Sequence, residues 1–508
     1  MNDWFLNVLR CPMCNDTLQL SLELEANEGG LSYGLITCAG CNADFPVVEG
    51  IPLLLPPKGS CDIYAETAED ILIQGAPALN ITAAIRAGNK IAALSLLLNP
   101  ISLSAPSWTF SPQPPEQIDR TREVRSSSGV TAAKSQPSAR QQFTMPLRRL
   151  YRRCRAFYRR VRLPTWRQQF AGYLLQHQNR LSACDVIHLY YGQYSGNTEM
   201  GHYFHCRFGM PRTLAALSIA QPMRATPGPL LDVACGAGHL THFLAYERDD
   251  GPVVGVDRDF FRLYLAKRYI APQAQFACVS ADNHLPLADD VFEATLCSDA
   301  FHIMQDKAAM LNEFRRVMTD QGSLFLARVA NAEKEPHEGY ELDVDGYAGL
   351  VSDLPCAMLG EDELLARYLQ GMGPDLSRGT DDAGLRQQKW LTLVASPRQE
   401  LFVEHGRFKD WPHAVGRLAV NPVYVETSAA QPTGRDGTRH FEFAFPSDWY
   451  EFENNAYRTY ASSAFSIPVS LLPDLNQRCT DEAVQRHVAR FEVLGMPDRY
   501  VFPLHPHS

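Results

Sequence analysis

The sequence predicts an α/β fold with a doubly wound, Rossmann-like sheet, because apolar strand-like runs alternate with helix-like runs after residue 229. The first run, Leu230–Val233, contains Asp232 and leads into a glycine-rich turn. The second run ends at Asp257 and the third at Asp282, so the acids recur every 25 residues. Parallel strands end at one edge of such a sheet, and ligands bind at that edge. We therefore expect a ligand site around these three acids.

Length and composition indicate several globular domains and no membrane span. The chain has 508 residues, of which 45% are hydrophobic and 20% charged, and its net charge is −10. A single core rarely grows this large. No apolar run approaches the ~20 residues that cross a bilayer, and the N-terminus lacks the pattern of a secretory signal. Cysteines arranged for metal rather than for disulfides favour a cytoplasmic location.

Two CxxC pairs near the N-terminus predict a metal site. Cys11 and Cys14 form the first pair, and Cys38 and Cys41 form the second after 23 intervening residues. Each CxxC turn directs two thiolates to one point, and four thiolates suit tetrahedral Zn²⁺. The zinc would be structural because no ligand position is left open. The sequence therefore predicts a small N-terminal zinc ribbon.

The residues after the second pair resemble a known family. Phe45-Pro-Val-Val-Glu-Gly-Ile-Pro-Leu-Leu-Leu55 is similar to the closing strand and turn of small zinc-ribbon proteins that activate tRNA, rRNA and translation-factor methyltransferases. The similarity covers about residues 5–57. In that family the ribbon partners a separate enzyme, so the resemblance implies a docking or stabilising role inside this chain.

The turn after the first strand has the composition of a cofactor-binding loop. It reads Asp232-Val-Ala-Cys-Gly-Ala-Gly238, and its two glycines allow the backbone to pass close to a ligand. NAD-binding folds usually carry a glycine three residues after the second of these, where this chain has Thr241. An NAD-binding domain and a degenerate, inactive fold are the alternatives.

The order of strands and acids is similar to that of class I SAM-dependent methyltransferases, especially the ubiquinone and menaquinone branch. The resemblance covers roughly residues 190–330 and is closest in Ala281–Thr295 and Asn312–Gly322. Ala234 stands where the family usually has its first glycine. The resemblance assigns the SAM contacts as follows: Asp232 at the amino group, Ala234, Gly236 and Gly238 along the methionine part, Asp257 at the ribose, and Asp282 and Asn283 at the adenine.

Candidates for a catalytic base follow the fourth strand, Ala294–Asp299. A base is useful when the acceptor is a hydroxyl or an amine. Asp299 and His302 are best placed, although a packing or hydrogen-bonding role is the more common one for each of these residue types. The stretch Cys297–Phe301 lacks the Asn/Asp-Pro-Pro-Tyr/Phe signature of methyltransferases that act on nucleobases or glutamine amides. This absence favours another class of acceptor.

One long segment is strongly basic. Between Val124 and Cys184 there are 13 Lys or Arg and no acid, which leaves −23 for the rest, the total of −10 less these 13 charges. Within it, Pro146–Leu163 places apolar residues on one helical face and eight arginines on the other. RNA phosphates, an anionic membrane surface and the acidic body of the protein itself are the possible contacts.

These features divide the chain into six segments. They are a zinc ribbon (1–58), a helical segment (59–100), a disordered linker (101–145), a basic helical segment (146–185), a SAM-dependent methyltransferase domain (186–398) with an insertion at 331–388, and an α+β accessory or substrate region (399–508). The expected function is methylation of a small-molecule acceptor at oxygen, nitrogen or carbon. RNA or translation-machinery methylation and a non-catalytic SAM-binding scaffold are the alternatives. The sequence does not specify the oligomeric state.

Overall fold

The computed structural model describes most of the chain outside the predicted linker. The described residues are 1–55, 76–98, 165–195, 197–281, 284–336, 339–380, 384–408, 416–427, 437–472, 475–476 and 479–503. The linker 101–145 and the basic stretch 146–163 lie outside them. Within the described ranges, no helix has the length and apolar character needed to cross a membrane.

The strands fall into four sheets. They are β1 (Leu18–Asn27), β2 (Gly30–Cys38), β3 (Asp44–Val48), β4 (Ile51–Pro52), β5 (Leu230–Val233), β6 (Val253–Asp257), β7 (Gln275–Cys278), β8 (Phe292–Ser298), β9 (Met318–Ala330), β10 (Cys356–Gly360), β11 (Trp390–Ala395), β12 (Arg417–Val420), β13 (Tyr424–Glu426), β14 (Thr438–Phe443), β15 (Ala464–Pro468) and β16 (Val493–Met496).

The helices pack around these sheets. They are α1 (Asp3–Val8), α2 (Ala76–Arg86), α3 (Lys90–Leu97), α4 (165–177), α5 (Ala183–Ile187), α6 (Thr198–His205), α7 (Pro211–Arg224), α8 (His239–Ala245), α9 (Phe260–Leu265), α10 (Lys307–Val317), α11 (Val344–Leu350), α12 (Glu361–Leu369), α13 (Asp448–Asn454) and α14 (Glu482–Ala489). A π-helical stretch, His188–Ser195, follows α5.

Seven strands form the central sheet in the order β10-β11-β9-β8-β5-β6-β7. Strands β5 to β9 run parallel, and β11 is antiparallel to both of its neighbours. Successive residues of β5 enter different cores, since Leu230 and Leu231 belong to separate clusters of buried side chains. A parallel sheet is buried in this way when helices cover both faces. The predicted Rossmann-like, doubly wound fold is confirmed.

Part of the range that the sequence predicts to be an insertion belongs to the central sheet. Residues 331–388 contain α11, β10 and α12, and β10 pairs with β11 to form one edge of the sheet. The range therefore contributes a strand to the central sheet rather than only loops added to it.

The ribbon is an antiparallel sheet in the order β1-β2-β3-β4, and backbone pairing joins it to the opposite edge of the central sheet. Leu53 pairs with Cys278 in parallel, and the amide of Leu54 donates to the Cys278 carbonyl at 2.9 Å. A second bridge joins Leu9 to Leu287. Side chains from both sides of this seam share one apolar core. The ribbon thus extends the central sheet beyond β7.

The C-terminal region is α+β, as expected. It contains the three-stranded sheet β13-β14-β15 and the pair β12-β16. Near its end, the buried hydroxyl of Tyr500 donates to the Phe204 carbonyl and lies 3.2 Å from Nε2 of His239. These contacts attach the region to α6 and to α8, the helix that follows the glycine-rich turn.

We expect Leu9→Ala to destabilise the chain by about 2–5 kcal/mol, because Leu9 is fully buried at the seam and alanine would leave a cavity. Leu20→Ala is the matched control: its side chain is 45% exposed on β1, so the change should stay below about 0.5 kcal/mol. Urea unfolding of both variants measures the difference. A loss for Leu9→Ala as small as the one expected for the control would show that packing of Leu9 at the seam adds no stability.

Candidate functional site

Asp232, the acid on the first strand of the site, is buried in the interior. Asp232 is 2% exposed, and its Oδ2 accepts a hydrogen bond from the Thr241 hydroxyl at 2.6 Å. Burial raises the pKa of Asp232 to about 7. The hydrogen bond from the first turn of α8 works against that rise and ties the strand to the helix.

The turn itself is left-handed at three positions. The φ angles of Ala234, Gly236 and Gly238 are 58°, 56° and 75°. A Cβ on Gly238 would lie 2.8 Å from the Cβ of Ala266, so glycine is required there by close packing. A Cβ on Gly236 would meet no atom within 4 Å. The turn is therefore packed beneath Gly238 and open above Gly236, which is the arrangement of a backbone that cradles a ligand.

The second acid reaches this turn from the neighbouring strand. Asp257 ends β6, is 8% exposed, and accepts a hydrogen bond from the Gly236 amide through Oδ2 at 2.9 Å. Its other oxygen accepts from the Asp259 amide at 2.8 Å. Burial raises the pKa of Asp257 above its usual value. The structure thus brings Asp232, Asp257 and the glycines together, whereas Asp282 and Asn283 lie outside the described residues.

Aromatic residues from the segment before β5 pack beside this edge. The ring of Tyr190, in the π-helical stretch, stacks on Phe261 of α9 with centroids 3.5 Å apart. Tyr191 meets the same ring edge-on at 5.7 Å. The segment that precedes the first strand therefore lies against the helix that follows Asp257.

Asp299 follows β8 and has a φ angle of 59°. Its Oδ1 accepts a hydrogen bond from Arg328 at 2.5 Å, and its Oδ2 lies 3.5 Å from Nη1 of Arg212. Burial opposes the ionisation of Asp299, but these two guanidinium groups outweigh it and hold the pKa of Asp299 well below its usual range. A carboxylate held in this way is a poor proton acceptor, which disfavours the predicted role as a base.

His302 lies in a short 3₁₀ turn after Asp299 and is 5% exposed. Its ring meets Trp390 edge-on at 5.5 Å. The ammonium of Lys307 donates to the His302 carbonyl at 2.9 Å. Both residues predicted as bases therefore lie at the carboxyl ends of the strands, and both are engaged with neighbouring side chains.

Sequence reasoning missed the partners of Asp299. Arg328 stacks on the ring of Trp390 at 3.6 Å, and Arg212 donates to Glu453 of α13 at 2.7 Å. An arginine inside the apolar run of β9 is a signal that could have identified Arg328. No local signal identifies the pairing of Arg212 with Glu453, because these two residues are 241 positions apart in the chain.

The four cysteines of the ribbon converge. Their sulfur atoms all lie within 4.8 Å of one another; the distance is 3.6 Å for Cys11 and Cys41 and 3.4 Å for Cys14 and Cys38. A tetrahedral Zn²⁺ with Zn–S bonds near 2.3 Å requires sulfurs about 3.8 Å apart. The cluster therefore fits the predicted zinc ribbon.

Thr241→Val tests the link between β5 and α8. Loss of the hydrogen bond should cost about 1–2 kcal/mol. Because the folded state binds the Asp232 proton more tightly than the unfolded state, this group lowers stability as the pH rises from about 4 to about 7. The variant raises that pKa further, so its deficit should be larger at pH 8 than at pH 5 in urea unfolding.

Thr295→Val is the control for this variant, because the buried Thr295 hydroxyl has no hydrogen-bond partner in the described part of the chain. The control should be neutral at both pH values. A deficit of Thr241→Val that does not change with pH would show that the hydroxyl does not influence Asp232.

Comparisons with known proteins agree with this geometry. Residues 228–363 match the family model of a methyltransferase domain. Over 105 residues the chain is 28% identical to a malonyl-[acyl-carrier protein] O-methyltransferase of Legionella pneumophila, a match that covers 20% of this chain and 37% of that protein. The chain thus spans little more than a third of the length of this curated relative.

Two solved structures are similar to parts of the chain. A SAM-dependent methyltransferase from Aquifex aeolicus is 14% identical, with a TM-score of 0.27, over 37% of this chain and 91% of its own. A complex of the Trm112 methyltransferase activator and a methyltransferase from Haloferax volcanii is 16% identical, with a TM-score of 0.29, over 40% of this chain and 96% of the other. The family match and the site geometry agree: residues 228–363 match a methyltransferase domain, and the central sheet in which they lie has a Rossmann-like fold.

Proposed function

We propose that this protein transfers the methyl group of SAM to a small organic acceptor. The observation that carries the proposal is the open cradle above Gly236, whose amide is held by Asp257. Close backbone approach and an acid at the end of the second strand are what a nucleoside ligand with ribose hydroxyls needs. When bound there, SAM supplies an electrophilic methyl group on a sulfonium.

The described residues around the turn would each contact a different part of this donor. Asp257 would accept hydrogen bonds from the ribose, and the backbone from Ala234 to Gly238 would lie beneath the methionine part. Asp232 is buried behind the turn, and its Oδ2 is already bonded to Thr241, so we propose that it acts on the amino group through the backbone. Asp282 and Asn283 remain proposed adenine contacts.

We propose Zn²⁺ as the ion of the four-cysteine cluster, with a structural role. The support is the spacing of the sulfurs and the pairing of the adjoining β4 end with the edge of the central sheet. A ribbon joined by main-chain hydrogen bonds covers an edge strand that would otherwise be open to other chains. In this proposal the ribbon is a built-in stabilising module of the methyltransferase domain.

Mass spectrometry tests the class of acceptor. The protein is incubated with SAM and, separately, with a metabolite extract and with RNA of the host, and both are searched for the mass of one added methylene. We expect the gain in metabolites. A gain confined to RNA digests would instead support RNA methylation, the alternative suggested by the ribbon and the arginine-rich stretch 146–163. A chain that binds SAM and methylates neither sample would be a scaffold.

Deletion of residues 146–162 further distinguishes a metabolite methyltransferase from an RNA methyltransferase. A metabolite enzyme should keep its turnover without this stretch. An RNA enzyme should lose affinity, and its binding should depend less steeply on salt because fewer phosphates are neutralised.

A further inference from the structure

Arg262 lies beside the acid that is proposed to hold the ribose of the donor. It is in the first turn of α9, and its Nε is 3.1 Å from Oδ2 of Asp259. The Asp259 amide in turn donates a hydrogen bond to Oδ1 of Asp257 at 2.8 Å. An ion pair and a backbone hydrogen bond therefore connect the guanidinium of Arg262 to the carboxylate at the end of β6.

The helix itself does not call for a positive charge at this position. Asp259 already caps α9, because its Oδ1 accepts a hydrogen bond from the Arg262 amide at 3.2 Å. The first turn of a helix favours negative side chains, since the free amides there carry a partial positive charge. The acids beside Arg262 therefore explain its charge better than the helix does.

Aromatic residues that precede the first strand of the central sheet cover Arg262. Its guanidinium carbon is 5.6 Å from the centre of the Phe204 ring on α6. That ring stacks on Tyr191 of the π-helical stretch, with centroids 5.4 Å apart, and both rings are buried. Arg262 thus contacts this aromatic layer as well as Asp259, and both contacts restrict where its charge can lie.

The charge of Arg262 acts on Asp257. Burial raises the pKa of Asp257, and the positive charge of Arg262 works against that rise. The amides of Gly236 and Asp259 each occupy one oxygen of this carboxylate. An ionised carboxylate still has free lone pairs for ribose hydroxyls, whereas a proton would remove one of these acceptor positions. Ionised Asp257 is therefore the form suited to the donor.

We propose that Arg262 is a positioning residue for the donor, which keeps Asp257 ionised and, through Asp259, turned toward the ribose. This inference rests on the proposed SAM site and adds the residue that sets the pH range over which that site binds. Phe204 and Tyr191 hold Arg262 in place, so the segment before the first strand contributes to donor binding through this arginine.

Other ionisable groups also face Asp257 from the elements packed around it. They are Asp232 on β5, the thiols of Cys235 and Cys278, the carboxylate of Asp259 and the hydroxyl of Tyr191. Burial raises the pKa of both thiols and of the Tyr191 hydroxyl, so these groups stay neutral below pH 8. Asp232, with a pKa of about 7, titrates in the wild type and in the variants alike. Comparison of each variant with the wild type at the same pH therefore isolates the effect on Asp257.

Titration calorimetry with SAM at pH 8 and at pH 5 tests this role. Arg262→Gln should raise the pKa of Asp257 by about one unit, so the carboxylate becomes protonated at a higher pH as the pH falls. We expect the affinity to drop less than about threefold at pH 8, and the deficit relative to the wild type to be about fivefold larger at pH 5. Arg262→Lys keeps the charge and should restore most of the affinity at pH 5.

Two further variants show whether the effect belongs to this arginine and acts through Asp257. Arg378→Gln is the matched control, because Nε of Arg378 is also 3.1 Å from a carboxylate three residues before it, that of Asp375. It lies beside β10, at the other edge of the central sheet, where the Gly379 carbonyl accepts from the Met358 amide. Arg378→Gln should bind SAM like the wild type at both pH values. In an Asp257→Asn background, Arg262→Gln should add no pH-dependent loss.

The outcomes separate this inference from the proposed function. A deficit of Arg262→Gln that is the same at pH 5 and pH 8, or that persists unchanged in Arg262→Lys, would mean a purely structural role and overturn the inference while the donor site stands. Absence of SAM binding to the wild-type chain at either pH would overturn both.

Discussion

Removal of metal from the four-cysteine site is expected to unfold the ribbon and to destabilise the domain beside it. The outer strand β1 is exposed along most of its length, so the ribbon has a small core of its own. Binding of structural zinc supplies about 10–16 kcal/mol in isolated zinc-finger peptides, which exceeds the whole stability of many domains. The ribbon should therefore depend on its metal.

Cys14→Ser separates metal binding from packing, because Cys14 is exposed and serine fills nearly the same volume. We expect zinc content to fall from one equivalent per chain, and protease cleavage to appear in residues 1–55. Loss of the ribbon also uncovers the edge of β7 and the apolar seam, so the variant should aggregate. Cys479→Ser, at a half-buried cysteine remote from the cluster in sequence, should retain zinc. A zinc-free wild-type chain that resists protease would contradict a structural metal.

Replacing each of the two glycines of the turn by alanine should affect a different property, stability at Gly238 and SAM affinity at Gly236. At Gly238 the new Cβ would approach the Ala266 Cβ to 2.8 Å, and the φ angle of 75° adds strain. We expect Gly238→Ala to lose about 2–4 kcal/mol of stability. At Gly236 the strain is similar, but no atom lies within 4 Å of the new Cβ. Gly236→Ala should therefore lose only about 1 kcal/mol.

SAM binding should show the opposite order, because the space above Gly236 is where the donor is proposed to lie. Titration calorimetry on Gly236→Ala should show affinity reduced at least about 30-fold, in a protein whose melting temperature is nearly that of the wild type. Gly236→Ala with full SAM affinity would mean that the donor does not approach this side of the turn. A stable Gly238→Ala would mean that Ala266 packs less closely on the turn than the structure indicates.

Much of the site was predictable because its signals are local. The glycine-rich turn follows a buried strand at once, and Asp257 ends the next one, so spacing alone aligns them at one edge of a parallel sheet. The cysteine pairs are equally local. Ala234 stands where a glycine is usual. Its backbone keeps the left-handed conformation that favours glycine, although alanine has a side chain.

The remaining features depend on contacts between distant parts of the chain. The prediction of Asp299 as a base does not include Arg328 and Arg212, which lie against its carboxylate, because nothing in the neighbouring sequence indicates them. The link from Arg212 to Glu453 required the C-terminal region to return to the central sheet. The pairing of Leu53 with Cys278 likewise follows from docking of the ribbon, which no periodicity encodes.

Titration of SAM into the wild-type chain and into Asp257→Ala tests the central claim most directly. We expect one molecule of SAM per chain. Removal of the Asp257 carboxylate, which accepts from the Gly236 amide and is proposed to hold the ribose, should cost about 2 kcal/mol, or roughly 30-fold in affinity. Asp249→Ala, at an exposed loop position, should bind like the wild type. Absence of SAM binding, or equal affinity in Asp257→Ala, would contradict the account.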